Sequence, residues 1–432
     1  SPENLGATAI SLDFLLFFIN MYNIYNVMRM SDKLGKNPVI AVAMSGGVDS
    51  SVAAAMLVKQ GFRVFGITML FGFVNPKGLR NRTNKIKQTC GTEGIESARK
   101  ICRILDIPHH SVDVSKEFTK KVIDDFISAY RAGKTPNPCV KCNQFIKFGA
   151  LLKIAKKYGA DFLATGHYAR LRREIRNPKF EIRNKSKIQN PKSKIIYHLL
   201  RGKDQNKDQS YFLYNLNQKQ LSKIIFPLGD LKKKKVRNLA RKFKLPIAEK
   251  PESQEICFIS TNLNEFLSSR IKTKSGDIIT ADGKVVGKHR GIAFYTIGQK
   301  AGVGGKGPYY IAVIDKKKNR LIVTNDIKSL IISRKEIVVS KVNWISCVSG
   351  NKSEIRNPKF ETNSKFQIPN SKNKYFEIQI RYRAKPVLGK IFNLGKNKIK
   401  IAFDEPVFAP APGQSAVFYL NSECLGGGII ER

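Results

Sequence analysis

Short apolar runs alternate with amphipathic stretches over the first half of the chain. "PVIAVAM" (38–44) is apolar throughout, as expected of a strand buried on both faces. It leads into "SSVAAAMLVKQGF", read as a helix, and then "RVFGITML", a second strand. "GIESARKICRILDI" predicts a helix, "HHSVDV" a strand, "FGALLKIAKKYGA" a helix and "DFLATGHYA" a strand. This alternation predicts an α/β fold over residues 37–214, with a doubly wound parallel sheet. From 215 to 273 the pattern turns helical and linker-like, and "PLGDLKKKKVRNLARKFKLPIAEK" reads as one small unit of a central domain. Beyond 274 short strands and glycine turns dominate, as in "YYIAVIDKKKNRLIVT" and "SAVFYLNSECLGGGII". They argue for a β-barrel or sandwich over 274–432.

Two stretches have neither period. The word "EIRNPKFE" occurs at 174–181 and again at 354–361, each time inside a Lys/Asn/Ser/Pro-rich run. Neither run can bury enough apolar surface to fold alone, and the flanks of both read as strands. Residues 172–195 and 350–374 are therefore expected to be low-complexity inserts that expand hairpin loops. At the start, residues 10–28 are apolar but broken by Asp13, Asn20, Asn23 and Asn26. A spanning helix needs about 20 mostly apolar residues, and no small-residue cleavage site follows. Residues 1–36 are expected to be a non-native or disordered extension, with the domain beginning near Asn37 and no membrane association.

Charge adds a partner to this picture. The 432 residues carry 77 Lys+Arg against 33 Asp+Glu, a net charge of +44. The two inserts hold nine basic against two acidic residues (Leu171–Ile196) and six against two (Ser349–Lys374). What remains is still strongly basic, which points to a polyanion, most often nucleic acid. The seven cysteines (Cys90, Cys102, Cys139, Cys142, Cys257, Cys347 and Cys424) are odd in number and scattered. That excludes a disulfide scaffold and fits a reducing, cytoplasmic location.

Candidate chemistry sits at two motifs. The first strand runs into Ser45-Gly46-Gly47-Val48-Asp49-Ser50 and directly on into a helix. Two glycines admit close backbone approach, while serines and free helical N–H groups bind an anion. The Lys-Ser/Thr of a Walker A loop is absent, so the loop suits a departing pyrophosphate better than γ-phosphoryl transfer. The second motif is "TPNPCVKCNQFIKFG" (135–149). Its C-x-x-C pair can be half a zinc site, a dithiol couple, part of an iron–sulfur cluster or a nucleophile with a neighbour. No second C-x-x-C or paired histidine completes a tetrahedral zinc site, so no structural metal is expected. Lys141 and Lys147 flank Cys142, and a helix starting near Gln144 would point its positive end at it. Lys232–Lys235 read as a solvated helix face that also attracts phosphate.

S-G-G-x-D-S is the signature of the PP-loop ATP pyrophosphatases, and within that group the chain resembles the tRNA-specific 2-thiouridylases. The resemblance runs from Val39 to the C-terminus outside the inserts. It rests on "AMSGGVDSSVAA", "TPNPCVKCNQFIKFG", "ATGHYAR", "KDQSYFLY", "FPLGDLKK", "ESQEICFIS", "YTIGQKAGVG", "IRYRAKPV" and "PGQSAVFY". It implies a PP-loop catalytic domain, a central domain carrying a second catalytic cysteine and a tRNA-binding C-terminal β-barrel. It also implies ATP with Mg²⁺ as cofactor, bound by Ala43, Met44, Ser45, Gly46, Gly47, Val48, Asp49 and Ser50, with Met69 and Gly166 also at the nucleotide. Asn137, Pro138 and Cys139 would lie against the target base. Cys142 matches the family nucleophile, and Cys257 the cysteine that carries persulfide sulfur. His167, Lys207, Asp208, Gln209, Arg381, Tyr382 and Gln414 match positions that contact tRNA. Some relatives have Asp at the place of Cys139, which puts an acid/base role there in doubt. The implied activity is adenylation of the C2 oxygen of the wobble uridine and its replacement by sulfur, with AMP and pyrophosphate released. The partners would be a tRNA anticodon stem-loop and a sulfur relay protein or cysteine desulfurase. Two other readings stay open: sulfur delivery through an iron–sulfur cluster on Cys139, Cys142 and Cys257, and a non-catalytic tRNA- or ATP-binding protein.

Overall fold

The computed structural model describes residues 37–72, 92–176, 194–251, 256–259, 262–304, 308–329, 331–345 and 375–431. The expected extension at 1–36, the insert at 350–374 and most of that at 172–195 lie outside these residues.

The apolar runs fold as a five-stranded sheet, β1 (Val39–Ala43), β2 (Arg63–Leu70), β3 (His109–Asp113), β4 (Phe162–Ala164) and β7 (Ile224–Ile225), in the order β3-β2-β1-β4-β7. Every pairing in it is parallel. Successive residues of β1 supply opposite cores. Ile40 and Val42 pack with Val52, Leu57, Ile101 and Leu239 on one face, while Ala41 joins Val122, Phe126, Ile146 and Leu151 on the other. Helices therefore cover both faces, which is why β1 is apolar without alternation. Order reverses between β1 and β4, where open α/β sheets bind their ligands at the carboxyl ends of the strands.

The N-terminal sheet draws on residues beyond the expected cut at 214. Strand β7 and the helix Lys233–Lys242 complete the N-terminal unit. On that strongly basic helix Val236, Leu239 and Ala240 form a buried stripe, which the helix Val48–Lys59 covers. In the other direction, the hairpin β5 (Ala169–Arg176) and β6 (Lys194–Arg201) leaves that unit for the C-terminal one. Its arms are strand as far as Arg176 and again from Lys194, so the segment expected to be loop from 172 to 195 is shorter at both ends. β6 pairs with β17 (Glu423–Ile430) through Leu200–Glu423 and Leu199–Cys424.

The residues beyond 274 form two β units. β8 (Gly276–Thr280), β9 (Val285–His289), β10 (Tyr310–Asp315) and β11 (Arg320–Thr324) make a four-stranded sheet around Ile278, Ile311, Leu321 and Val323. The barrel follows, with β12 (Ser333–Trp344), β15 (Lys398–Phe408), β14 (Val387–Gly395), β13 (Phe376–Gln379), β16 (Ser415–Leu420) and β17 as neighbours in that order. Pairing of β12 with β17 closes the ring and removes the free edges.

The β6–β17 seam carries a charged triad. His198 is buried, with Nδ1 2.7 Å from Glu423 and Nε2 2.7 Å from Glu174. The Glu423 hydrogen bond leads in raising its pKa above 6.5, with Glu174 helping and burial and Arg172 opposing. A raised folded value stabilises the protonated form, so the contribution is complete below the unfolded value and is lost as pH rises through the folded one. Urea unfolding at about pH 6 and about pH 8 should show the native protein losing stability over that interval. His198→Gln should flatten that loss; an unchanged pH slope would remove the triad from the account.

Candidate functional site

The turn after β1 is a glycine loop with a fixed root. The Met44 N–H donates to the Ile67 carbonyl (2.9 Å), and the Thr68 hydroxyl donates to the Met44 carbonyl (2.9 Å) and meets His109 Nε2 at 2.8 Å. Gly46 turns the chain at φ +72°, a conformation that costs glycine little. A Cβ there would collide with the Gly94 carbonyl. Helix Val48–Lys59 starts at Gly47 with no side-chain cap, leaving first-turn N–H groups directed at the loop. Ser45 and Ser50 hydroxyls stand 3.2 Å apart, and Ser51 donates to the Gly47 carbonyl at 2.9 Å.

Gly166, after β4, lies on the same loop across the reversal of strand order. A Cβ on it would come within 2.8 Å of the Asp49 carbonyl carbon and the Ser50 nitrogen. Met69, half-buried, sits near the end of β2. The expected nucleotide residues thus converge at the carboxyl edge of the sheet. The same edge holds a residue of the run read from sequence as a solvated, phosphate-attracting helix face. Lys233 Nζ is 2.6 Å from Asp49 Oδ1, and the Tyr168 hydroxyl donates to that same oxygen at 2.7 Å.

The cysteine motif folds otherwise than expected. Its helix begins at Pro138, with Asn137 as N-cap accepting from the Val140 N–H at 3.4 Å. Proline in the first turn and asparagine before it are strong start signals. The helix continues through Cys142–Leu151 and Leu152–Lys157. Cys142 is therefore buried in its second turn, and the positive end points at Cys139, not at Cys142. Lys141 turns to Asp125 (3.5 Å) and lies near the Phe145 ring. Lys147 serves the site instead. Burial pushes the Cys139 thiol up and Lys147 opposes it. Cys139 is nonetheless open to solvent.

Sequence reasoning passed over Asn143, next to Cys142. It is 2% exposed, its amide donates to the Phe212 carbonyl at 3.2 Å, and its Oδ1 has no partner among the described residues. The asparagine ties the Cys142 helix to the turn at 208–213.

The barrel closes the mouth. Gln414 Nε2 donates to the carbonyls of Thr135 (3.1 Å) and Pro136 (3.3 Å), and the Thr135 N–H donates to Pro412. Asn137 hydrogen-bonds the buried Tyr211 hydroxyl, which donates to the Ser415 carbonyl. Tyr382 packs on Phe212, ring centroids 4.4 Å apart, and exposed Arg381 donates to the Ala409 carbonyl. An aromatic pair, an arginine and an asparagine around a thiol suit an unstacked base.

Three expected tRNA residues turn inward. His167 is buried between Phe148 and Phe226, with Nδ1 2.7 Å from the Thr165 hydroxyl. Burial, aided by Lys147, holds its pKa well below the usual imidazole range. Asp208 is buried and accepts from Gly202 N–H, Ser210 N–H and the Ser210 hydroxyl. Gln209 clamps Tyr168 in both directions, its N–H donating to the Tyr168 carbonyl and its Oε1 accepting the Tyr168 N–H. Asp208 and Gln209 share a physical reason: the turn at 202–210 must satisfy buried backbone groups where hairpin and sheet meet, whereas His167 is taken up by its own loop and two rings. Lys207 is half-buried at that turn.

Cys257 is exposed, and Phe258 anchors it by edge contacts to Phe118 and Phe126 at 5.7 and 5.2 Å. Those rings belong to the helical stretch 115–131, which packs on the helix carrying Cys142. Among the described residues no three His, Cys, Asp or Glu side chains converge as metal ligands, so Cys139, Cys142 and Cys257 do not form such a trio in this conformation. Cys102 and Cys424 are core thiols, and burial pushes Cys102 up to about 11. Cys90 and Cys347 lie outside the described residues.

Three family models match in succession: a tRNA methyl transferase HUP domain over 38–261, a PRC-barrel domain of the same family over 264–325, and an aminomethyltransferase β-barrel domain over 334–430. The tRNA-specific 2-thiouridylase MnmA of Gloeothece citriformis is 41% identical over 398 residues, covering 91% of this chain and 99% of that protein. That of Carboxydothermus hydrogenoformans is 40% identical over 409 residues, covering 93% and 99%. The chain belongs to the tRNA-specific 2-thiouridylases. The family-model boundary at 261 agrees with β7 and the helix Lys233–Lys242 being part of the N-terminal unit, and the break between 325 and 334 falls between the two β units. Members of this family are sulfur-group transferases acting on tRNA. Among the described residues no helix is long and apolar enough to cross a membrane.

Proposed function

We propose that the chain 2-thiolates the wobble uridine of tRNA at the expense of ATP, in the cytoplasm. One observation carries the reading: a glycine loop at the reversal of strand order, and the exposed Cys139 beside the N-cap Asn137, belong to the same sheet-and-helix unit. Ala43 to Ser50, Met69 and Gly166 take the nucleotide. The Asp49 carboxylate and the Ser45 and Ser50 hydroxyls are hard oxygen donors of the kind Mg²⁺ prefers, and the ion would offset phosphate charge.

The uracil C2 oxygen is a poor leaving group. In the first step it attacks the α-phosphorus, the α–β bridging bond breaks, and pyrophosphate leaves with the electron pair while the N3 proton passes to water. AMP then becomes the departing species. Cys257, exposed, receives sulfane sulfur from a persulfide donor, a relay protein or desulfurase. Attack of Cys142 thiolate on Cys257 Sγ releases hydrosulfide and leaves a Cys142–Cys257 disulfide. Hydrosulfide adds to C2, AMP leaves with the C–O pair, and an external thiol reduces the disulfide. Alternatively the terminal persulfide sulfur attacks C2 itself and AMP leaves with the C–O pair; Cys142 thiolate then attacks Cys257 Sγ, the S–S bond breaks with its electron pair on the base-bound sulfur, and the same disulfide forms. Arg381, Tyr382 and Lys207 face the RNA, whereas His167, Asp208, Gln209 and Gln414 hold the surfaces that do so.

The test is pyrophosphate and AMP release with unmodified tRNA, ATP, a persulfide donor and a thiol reductant. Stoichiometric release of both with thiolated tRNA is expected; silence with tight tRNA binding would favour a non-catalytic binding protein.

A further inference from the structure

The glycine loop lacks the lysine with which other phosphate loops meet a polyanion, and the triphosphate must find a cation elsewhere. Among the described residues the cation on this loop comes from 184 positions away. Lys233 opens the helix Lys233–Lys242, and its own N–H donates to Asp204 at 2.8 Å. The helix packs on Val48–Lys59, so the root of the lysine stem is fixed beside the loop. Its side chain is 12% exposed, which sets it apart from a solvated surface lysine.

We infer that Lys233 is the pyrophosphate-binding cation of this site, held on Asp49 until nucleotide enters and transferred to the β- and γ-phosphates when it does. This rests on the ATP-cleaving reading above. The local bonding is built for such an exchange. Asp49 Oδ1 accepts from both Lys233 Nζ and the Tyr168 hydroxyl, so it keeps a donor after the ammonium leaves. Tyr168 is itself fixed at both backbone groups by Gln209. The lysine stem is long and single-bonded, and its ammonium is a point charge with three donors, which suits movement from one anion to another. With the ammonium on the leaving group, charge developing on the α–β bridging oxygen is neutralised as that bond breaks. The electron pair stays on pyrophosphate.

The test uses full-length Lys233→Met and Lys233→Arg. Calorimetry with pyrophosphate and with AMP separates the two ends of the site. Lys233→Met should bind pyrophosphate at least about tenfold more weakly, bind AMP within about twofold of the native protein, and release pyrophosphate roughly 10²-fold more slowly. Lys233→Arg should recover part of the pyrophosphate affinity. Equal loss of AMP and pyrophosphate affinity, together with a lowered melting temperature, would mean that Lys233 only props the loop through Asp49. Native pyrophosphate affinity in Lys233→Met would also overturn the assignment. If the native protein binds pyrophosphate but never cleaves ATP, the parent reading fails while the calorimetric comparison still decides Lys233.

Discussion

Cys257→Ser protein should bind ATP and tRNA like the native chain and make no 2-thiouridine from a persulfide donor. Serine cannot carry sulfane sulfur, so the expected fall is roughly 10³-fold or more, as for loss of a nucleophile elsewhere. The exposed thiol makes little of the fold, whose local anchor is Phe258 against Phe118 and Phe126. Unchanged thermal stability is therefore part of the expectation. Excess inorganic sulfide distinguishes the two delivery routes. If Cys257 only releases hydrosulfide, added sulfide should restore thiolation in Cys257→Ser; if its persulfide attacks the base directly, sulfide should not. Full activity of the variant with the persulfide donor would remove Cys257 from the mechanism.

Gly46→Ala should be the most damaging single methyl group at the nucleotide end. The position has φ +72°, where a side chain costs about 1–3 kcal/mol. The new Cβ would also meet the Gly94 carbonyl, which belongs to the helix Thr92–Ile104 and cannot yield without shifting backbone. The loop must open to relieve that contact, and ATP affinity should fall about 10²-fold, or roughly 2.7 kcal/mol. Gly61→Ala is the control. Gly61 has φ +78° but open space around its Cβ direction, so it should lose about 1 kcal/mol of stability and no ATP affinity. Urea unfolding and ATP calorimetry on both variants separate strain from collision. Equal effects at the two glycines would mean that backbone strain alone is at work.

The parallel sheet was legible because its strands are short and separated by helical periods; β1 to β3 fall within a residue or two of the expected runs, whereas β4 stops at Ala164, five residues before the end of its run. The glycine loop was legible because its residue types admit few other uses. The start of the Cys142 helix was not read, although Asn137-Pro138 is a helix-start pair. The cysteines drew the eye, and the apolar period sets in only later, around Ile146 and Leu151. Long-range partnership was the other gap. Nothing local in "KKKKVR" distinguishes Lys233 from its neighbours, since only the packing of Val236 and Leu239 orients it toward Asp49. The hairpin β5–β6 reads as ordinary strand, and its transfer to the barrel depends on pairing with β17, more than 200 residues away. His167 and Asp208 match a surface role by motif, yet burial is set by Phe148, Phe226 and Arg201, which come from other segments.

The central claim is that the glycine loop and the Cys142–Cys257 pair act on one tRNA base. It is tested most directly by mass spectrometry of the nucleosides from tRNA incubated with the protein, ATP, a persulfide donor and a thiol reductant. The account predicts 2-thiouridine at the wobble position, formed only when ATP is present, with one AMP per sulfur incorporated. Unmodified uridine under those conditions, or thiolation that proceeds without ATP, would contradict it.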